Sequence, residues 1–208
     1  MSMKSELKRK ALHLTGLTVP LVYILFGKEV ALIFVGLSFA AFIALEPLRI
    51  VEHLRDKLKK KLGLYVDKQL IKIVEREIDT IAREHEKRSI GAHIYFTLAA
   101  FTIVYFFPKD IAIGSIAVAT LGDAMAAIIG KPFGKHRFKN GKSVEGSLAY
   151  FITALLILIP LIDVPHAVIG AFAGTLAEFY ELPPDDNFSN QLAVAVTLYI
   201  FRKFAFWG

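Results

Sequence analysis

The sequence predicts an all-α membrane protein, a polytopic bundle of about seven transmembrane helices forming one domain over residues 1–208. Two observations support this class. Hydrophobic residues make up 55% of the 208-residue chain and charged residues only 21%, and the mean hydropathy is +0.51. The charges are also concentrated in a few blocks between long apolar runs, whereas a soluble domain would spread them along the chain.

The apolar runs define the expected helices in chain order. Spans are expected at about residues 11–27, 30–46, 90–107, 111–130, 147–162, 166–180 and 190–206. Between the second and third spans, residues 47–89 repeat apolar side chains at helical spacing. This pattern predicts two amphipathic helices in the cytoplasm or on the membrane surface, which could form a solvated hairpin or gate a substrate path.

Basic residues predict the orientation. Of the 25 lysines and arginines, 21 lie before the first span, in segment 47–89 or in the loop 131–146. The positive-inside rule places these regions in the cytoplasm, so we expect a multi-pass protein of the cell membrane with a cytoplasmic N-terminus. The net charge of +6 is then explained by loops and anionic lipid, and no nucleic acid is expected as a partner. The absence of cysteine excludes disulfides.

The stretch 121–147 is the most informative part of the chain. It places Asp123 inside an apolar run, leaves that run near Gly130 and crosses a basic loop before the next run begins. A charged Asp at the centre of a span costs roughly 2.5–3.5 kcal/mol, so a partner or a function is expected for it. A carboxylate that can hold a divalent cation, beside clustered cations and glycines, is typical of nucleotide handling.

A P-loop is excluded for this stretch. Gly141-Lys142-Ser143 matches the end of that motif, but His136 stands where the motif needs a glycine.

The spacing of this stretch carries a family resemblance. The residues concerned are Gly122, Asp123, Ala126, Gly130, Gly134, Lys142, Ser143, Glu145, Gly146 and Ser147. In this order they resemble the core motif of the CTP-dependent lipid kinases, which are the dolichol, phytol and yeast-type diacylglycerol kinases, and more distantly the CDP-diglyceride synthases. Near the N-terminus, Arg9-Lys10 followed by His13 and Gly16 resembles the start of the same kinases.

The resemblance implies a membrane kinase that transfers the γ-phosphate of CTP to the hydroxyl of a long-chain isoprenoid alcohol at the cytoplasmic face. CTP, this alcohol and the bilayer are the implied partners, Mg²⁺ is the implied cofactor, and a homodimer is left open. Glu178 followed by Asp186-Asn187 resembles the kinase branch, because the synthases usually carry Asp-Arg in this place. The alternatives are cytidylyl transfer to a phosphorylated lipid and a small membrane transporter.

Site residues are expected from three parts of the chain. Asp123 lies about 10 Å inside the cytoplasmic end of its span, and His13, Glu178 and Asp186 are expected at the same face. The catalytic residues implied are Asp123, Glu178 to orient or deprotonate the alcohol, and His13 as its substitute. The implied metal ligands are Asp123, Asp186 and Asn187. The implied nucleotide-binding residues are Arg9, Lys10, Gly130, Gly134, Lys135, Lys142, Ser143, Glu145, Gly146 and Ser147.

Each assignment has a structural alternative. Asp123 could form a structural ion pair, and Arg9 and Lys10 could serve only to set topology. Ser143 or Ser147 could cap the helix that follows, although the same helix N-terminus would attract a phosphate. Glu145 could interact with the dipole of its own first turn.

Overall fold

The computed structural model describes residues 3–50 and 90–205. The helices in these ranges are α1 (Met3–Leu14), a short 3₁₀ helix (Thr15–Leu17), α2 (Thr18–Ile50), α3 (Ala92–Phe106), α4 (Lys109–Phe133), α5 (Val144–Leu158), α6 (Val164–Tyr180) and α7 (Asp186–Ala205). No β-strand occurs within them, which confirms the all-α class for this part of the chain. Most of the predicted amphipathic segment 47–89 lies outside the described residues.

The first expected span, 11–27, is divided among α1, the 3₁₀ helix and the start of α2, and the second, 30–46, lies within α2, which is interrupted at Gly27. The φ of Gly27 is 86°, a value that glycine adopts without the steric cost of a Cβ. Residues 9–47 and α4 are both long and apolar enough to cross a membrane. The apolar helices α3 and α5 are shorter, with 15 residues each. The count of seven spans therefore stays a prediction.

Capping residues fix where α5 and α6 begin. Ser143 accepts a hydrogen bond from the Gly146 amide, 3.1 Å away, so α5 starts at Val144, three residues earlier than the expected span. Asp163 accepts a hydrogen bond from the His166 amide, and Pro165 lies in the first turn of α6. Both starts satisfy amides that would otherwise lack partners.

The core lies around α4, which packs against α1, α2, α5 and α7. Tyr150 of α5 is fully buried there. A Cβ at Gly122 of α4 would lie 2.8 Å from the Tyr150 ring, and one at Gly174 of α6 would lie 3.0 Å from it. These glycines therefore let three helices approach closely around one aromatic ring.

The outer surface is strongly apolar. Leu37 on α2, Leu156 on α5 and Phe172 on α6 are 67%, 70% and 58% exposed. Many more large apolar side chains share this exposure, which is unusual for a soluble monomer and suits contact with lipid.

Candidate active site

A polar cavity of about 190 Å³ lies where α4 ends and α5 begins. Its lining comes from α1, α4, the loop after α4, α5, the end of α6 and the start of α7. The charged lining residues are Arg9, Lys10, Asp123, Lys131, Arg137, Lys142, Glu178, Glu181 and Asp186. The fold thus brings residues that are distant in sequence, including most of the expected site residues, to one end of the bundle.

Asp123 is paired with the N-terminal helix. Its carboxylate accepts a hydrogen bond from the Lys10 amine, and the Lys10 side chain is only 3% exposed. The His13 Nε2 lies 3.5 Å from the same Asp123 oxygen. The closest cation to Asp123 thus comes from α1 and not from the basic loop after α4. His13 and Asp123, which were expected at the same face, are thus close in space.

A second buried ion pair joins Lys142 to the end of α6. The Lys142 Nζ lies 2.5 Å from Glu178 Oε1 and 3.2 Å from Glu181 Oε1. Burial disfavours the charged amine, but the two carboxylates outweigh it and raise the pKa of Lys142. The amine is therefore positively charged at neutral pH.

Glu178 keeps one oxygen available. Its side chain is 5% exposed, and its Oε2 atom is buried with no hydrogen-bond partner. A buried carboxylate oxygen without a partner carries a desolvation cost, so this atom is suited to bind a cation or accept a hydroxyl proton. The neighbouring Glu181 ends α6 with φ 48°, an uncommon backbone conformation for a residue other than glycine.

The loop after α4 is fixed by side chains that the sequence did not single out. The Arg137 guanidinium donates to the carbonyls of Gly130 at 3.1 Å and Lys131 at 2.7 Å, and so satisfies the last turn of α4. The Asn140 side chain donates to the Phe179 carbonyl at 2.9 Å. The loop is therefore tied both to α4 and to the end of α6.

The glycines of the motif allow α4 and α5 to touch. A Cβ on Gly146 would lie 3.0 Å from the Ala126 carbonyl oxygen and 3.2 Å from the Cα of Gly130. A Cβ on Gly134 would lie 2.3 Å from the Gly130 carbonyl oxygen. Ser143 caps α5, as one of its two expected roles required. The first turn of α5, including Gly146 and Ser147, still lines the cavity.

Five of the expected site residues do not line the cavity, and one of them, His13, contacts it only through Asp123, 3.5 Å away. Gly134 packs as described, and Lys135 is exposed. The Glu145 carboxylate lies 2.8 Å from the His136 Nδ1. The Asn187 amide donates to Asp185 and Asp186, at 3.0 Å each. Their assignment to nucleotide, metal or catalysis stays a prediction.

The described residues contain no group of three or more histidines and acids placed to enclose a metal ion. Magnesium that acts on a nucleotide does not need such a group, because one or two carboxylates, phosphates and water complete its shell. Asp123, Glu178 and Asp186 line one cavity, and the Glu178 Oε2 lacks a partner. This donor set fits a nucleotide-bound Mg²⁺.

The chain is similar to several lipid kinases. A dolichol kinase of Schizosaccharomyces pombe is 37% identical over 84 residues, which cover 36% of this chain and 17% of that protein. A probable chloroplastic phytol kinase of Glycine max is 28% identical over 226 residues, covering 95% of this chain and 71% of that protein. An uncharacterized protein of Rickettsia prowazekii is 27% identical over 94% of both chains.

These similarities confirm the resemblance to the lipid kinases seen in the motif. No family model matches the chain, and no solved structure matches it. The aligned region covers well under half of the dolichol kinase and 38% of a CTP-dependent diacylglycerol kinase from the same yeast.

Proposed function

We propose that this protein is a membrane lipid kinase that transfers the γ-phosphate of CTP to the hydroxyl of a long-chain isoprenoid alcohol, at the cytoplasmic face. The observation that carries the proposal is the convergence of Lys10, Asp123, Lys142 and Glu178 on one cavity. The relatives support it through their names, which include dolichol and phytol kinases. CTP as donor is supported by the name of the CTP-dependent diacylglycerol kinase, 28% identical over 83 residues.

The two buried ion pairs suit a site for a nucleotide and its metal. Lys10 neutralises Asp123, and Lys142 neutralises Glu178, which lowers the cost of burying all four charges. A triphosphate with Mg²⁺ offers each of them a new partner, since the phosphates attract the two lysines and the metal attracts the carboxylates. Phosphoryl transfer depends mainly on such positioning and charge neutralisation.

Asp123, helped by Asp186 or Glu178, would hold the Mg²⁺, and the positive end of the α5 dipole would attract the phosphates. When bound, Mg²⁺ neutralises negative charge on the phosphates during transfer. Lys142 stands two residues before Val144, where α5 begins, so its amine and the helix N-terminus act on the same phosphate.

The transfer itself needs a group that accepts a proton. The alcohol oxygen forms a bond to the γ-phosphorus while the bond from that phosphorus to the β,γ-bridging oxygen breaks, and CDP leaves. The hydroxyl proton passes to Glu178, whose Oε2 is buried and without a hydrogen-bond partner. His13, which lies 3.5 Å from Asp123, is the second candidate for this role.

Labelled nucleotide tests the proposal. The purified full chain in lipid nanodiscs, with Mg²⁺ and a polyprenol, is given CTP labelled at either the γ- or the α-phosphate. We expect γ-label in the lipid and α-label only in CDP. Transfer of α-label to a phosphorylated lipid, with release of pyrophosphate, would establish cytidylyl transfer instead. Absence of label from lipid with polyprenol, phytol and diacylglycerol alike would overturn the kinase proposal.

A further inference from the structure

An apolar groove of about 520 Å³ runs between α5 and α6. The lining residues are Phe138, Val144, Ser147, Leu148, Phe151, Phe172, Thr175, Leu176, Phe179 and Tyr180. Those on each helix recur every three or four residues and so share one face. Phe172 and Leu176 are 58% and 40% exposed, so the groove is open along the outer side of the bundle.

Ser147 lines both the groove and the polar cavity. The Ser147 Oγ atom is buried and has no hydrogen-bond partner. A buried hydroxyl without a partner is costly. One turn earlier, Ser143 uses its hydroxyl to cap α5, whereas that of Ser147 is available to another molecule.

Aromatic residues form the end of the groove nearest the loop. The Phe138 and Phe179 rings meet edge to face with centroids 4.8 Å apart, and Phe179 contacts Tyr180 at 5.0 Å. Asn140 fixes the backbone at Phe179. The wall of the groove is thus built on the loop that also shapes the polar cavity.

We infer that this groove holds the aliphatic chain of the acceptor alcohol, with the hydroxyl of that alcohol beside Ser147 and facing the polar cavity. The identity of the head group rests on the proposed function. A prenyl chain needs an apolar surface reachable from the bilayer, while its hydroxyl must reach the phosphates. Ser147 lines both the apolar groove and the polar cavity, so an alcohol bound there could meet both requirements.

The first test fills the groove. Leu176→Trp adds bulk within it, and Leu37→Trp is the matched control, because Leu37 is exposed on α2 and does not line the groove. We expect Leu176→Trp to raise KM for a long prenol about tenfold or more, with KM for CTP unchanged. Its preference for the long prenol over a ten-carbon prenol should fall. Equal KM values for the long prenol in Leu176→Trp and Leu37→Trp would overturn the inference.

The second test concerns Ser147. Ser147→Ala should lower kcat/KM for the prenol about tenfold through loss of one hydrogen bond to the hydroxyl, with KM for CTP unchanged. A rise in KM for CTP alone would instead place Ser147 at the nucleotide and overturn its assignment to the alcohol.

A third test does not need turnover. A prenol bearing a diazirine is photolysed with the full chain in nanodiscs, and the labelled peptides are mapped. We expect label within residues 138–151 and 172–180, reduced by excess polyprenol and by Leu176→Trp but retained in Leu37→Trp. Even labelling of all outward-facing helices without competition would overturn the groove.

The two proposals can therefore fail separately. Specific crosslinking without transfer of γ-label would support the groove as the site of the lipid chain and contradict the proposed kinase activity. Transfer of γ-label, together with the same KM for the long prenol in Leu176→Trp and in Leu37→Trp, would support the kinase activity and contradict the groove as the lipid site.

Discussion

Two acids on the same helix, Asp110 and Asp123, show how a structural ion pair differs from a site. They lie about 20 Å apart along α4, and each pairs with a basic residue from a distant part of the chain. Asp110 pairs with Arg202 of α7, and Asp123 pairs with Lys10 of α1. The sequence places Asp110 just before the fourth expected span and Asp123 inside it, but it does not show which basic residue pairs with each acid.

The two ion pairs differ in their exposure and in their hydrogen-bond geometry. The Asp110 and Arg202 side chains are 32% and 33% exposed, and two guanidinium nitrogens donate to both carboxylate oxygens. The Lys10 and Asp123 side chains are 3% and 17% exposed and line a cavity. A bidentate arginine–carboxylate pair has its hydrogen-bond geometry satisfied, whereas a lysine amine is a point charge on a flexible chain that can bind another anion. Pairing of charges therefore does not mark the site, but burial beside a cavity does.

The largest effect is expected at Asp123. Asp123→Asn keeps size and removes the charge, and activity should fall about 10²–10³-fold if the acid holds the metal that neutralises the phosphates. Asp110→Asn, on the same helix, should leave the rate of lipid phosphorylation near that of the wild type. Near-normal turnover of Asp123→Asn at ordinary magnesium would show that Asp123, like Asp110, forms only a structural ion pair.

The next effect is expected at Lys142. Lys142→Ala should lower kcat/KM for CTP about 10²-fold, because it removes a preorganised charge at a helix N-terminus. Lys139, which is exposed in the same loop and does not line the cavity, is the control, and its loss should cost about 0.2–1 kcal/mol. Small and equal losses in steady-state assays of both variants would move the nucleotide site elsewhere.

The pKa of Lys142 adds a test by pH. Since this pKa is raised above the ordinary 10.5, the pair contributes its full stability below 10.5 and loses it as the pH rises from there through the folded value. The Tm difference between wild type and Lys142→Ala should thus be the same at about pH 7 and about pH 9. A difference that vanishes by pH 9 would contradict the raised pKa.

A smaller effect is expected at Arg137, which supports the site through the loop. Arg137→Ala removes the guanidinium hydrogen bonds to the Gly130 and Lys131 carbonyls, at a cost of about 1–3 kcal/mol. Tm should fall, and KM for CTP should rise more than KM for the alcohol. Arg137→Lys should restore Tm only in part, because one amine cannot reproduce the two-carbonyl contact. Unchanged Tm would show that the loop holds its shape without this cap.

The smallest effect is expected from the Asp110–Arg202 pair. A double-mutant cycle with alanine at both positions should give a coupling of about 0.2–1 kcal/mol, as for other partly exposed pairs. Thermal unfolding in detergent would measure it. A coupling of several kcal/mol would make this end of the bundle as important to stability as the buried pairs.

Sequence reasoning reached the helices and the convergence of Asp123 and Glu178, because apolar runs and charge counts fix which helix ends share a face. It did not reach the pairing of Lys10 with Asp123, which joins residues 113 positions apart and depends on how α1 packs. The capping role of Arg137 could not be predicted for a different reason. In a loop with five basic residues, nothing in the pattern distinguishes a helix cap from a solvated charge.

The groove was also invisible in the sequence. Leu148, Phe172 and Leu176 repeat with the same helical spacing that predicts simple contact with lipid. Only the packing of α5 against α6 shows that some of these side chains line a concave surface while others, such as Leu156, lie outside it.

The Lys10–Asp123 pair also bears on how the chain is made. Synthesis runs from the N-terminus, so Lys10 already exists when Asp123 leaves the ribosome, and the counter-charge of this acid is made before α4 is complete. Lys142 has the opposite history, because Glu178 follows it by 36 positions. Until α6 arrives, that lysine can remain in water beside the membrane, where a charge has little cost. The order of synthesis thus supplies the basic partner first for Asp123 and the acidic partner last for Lys142.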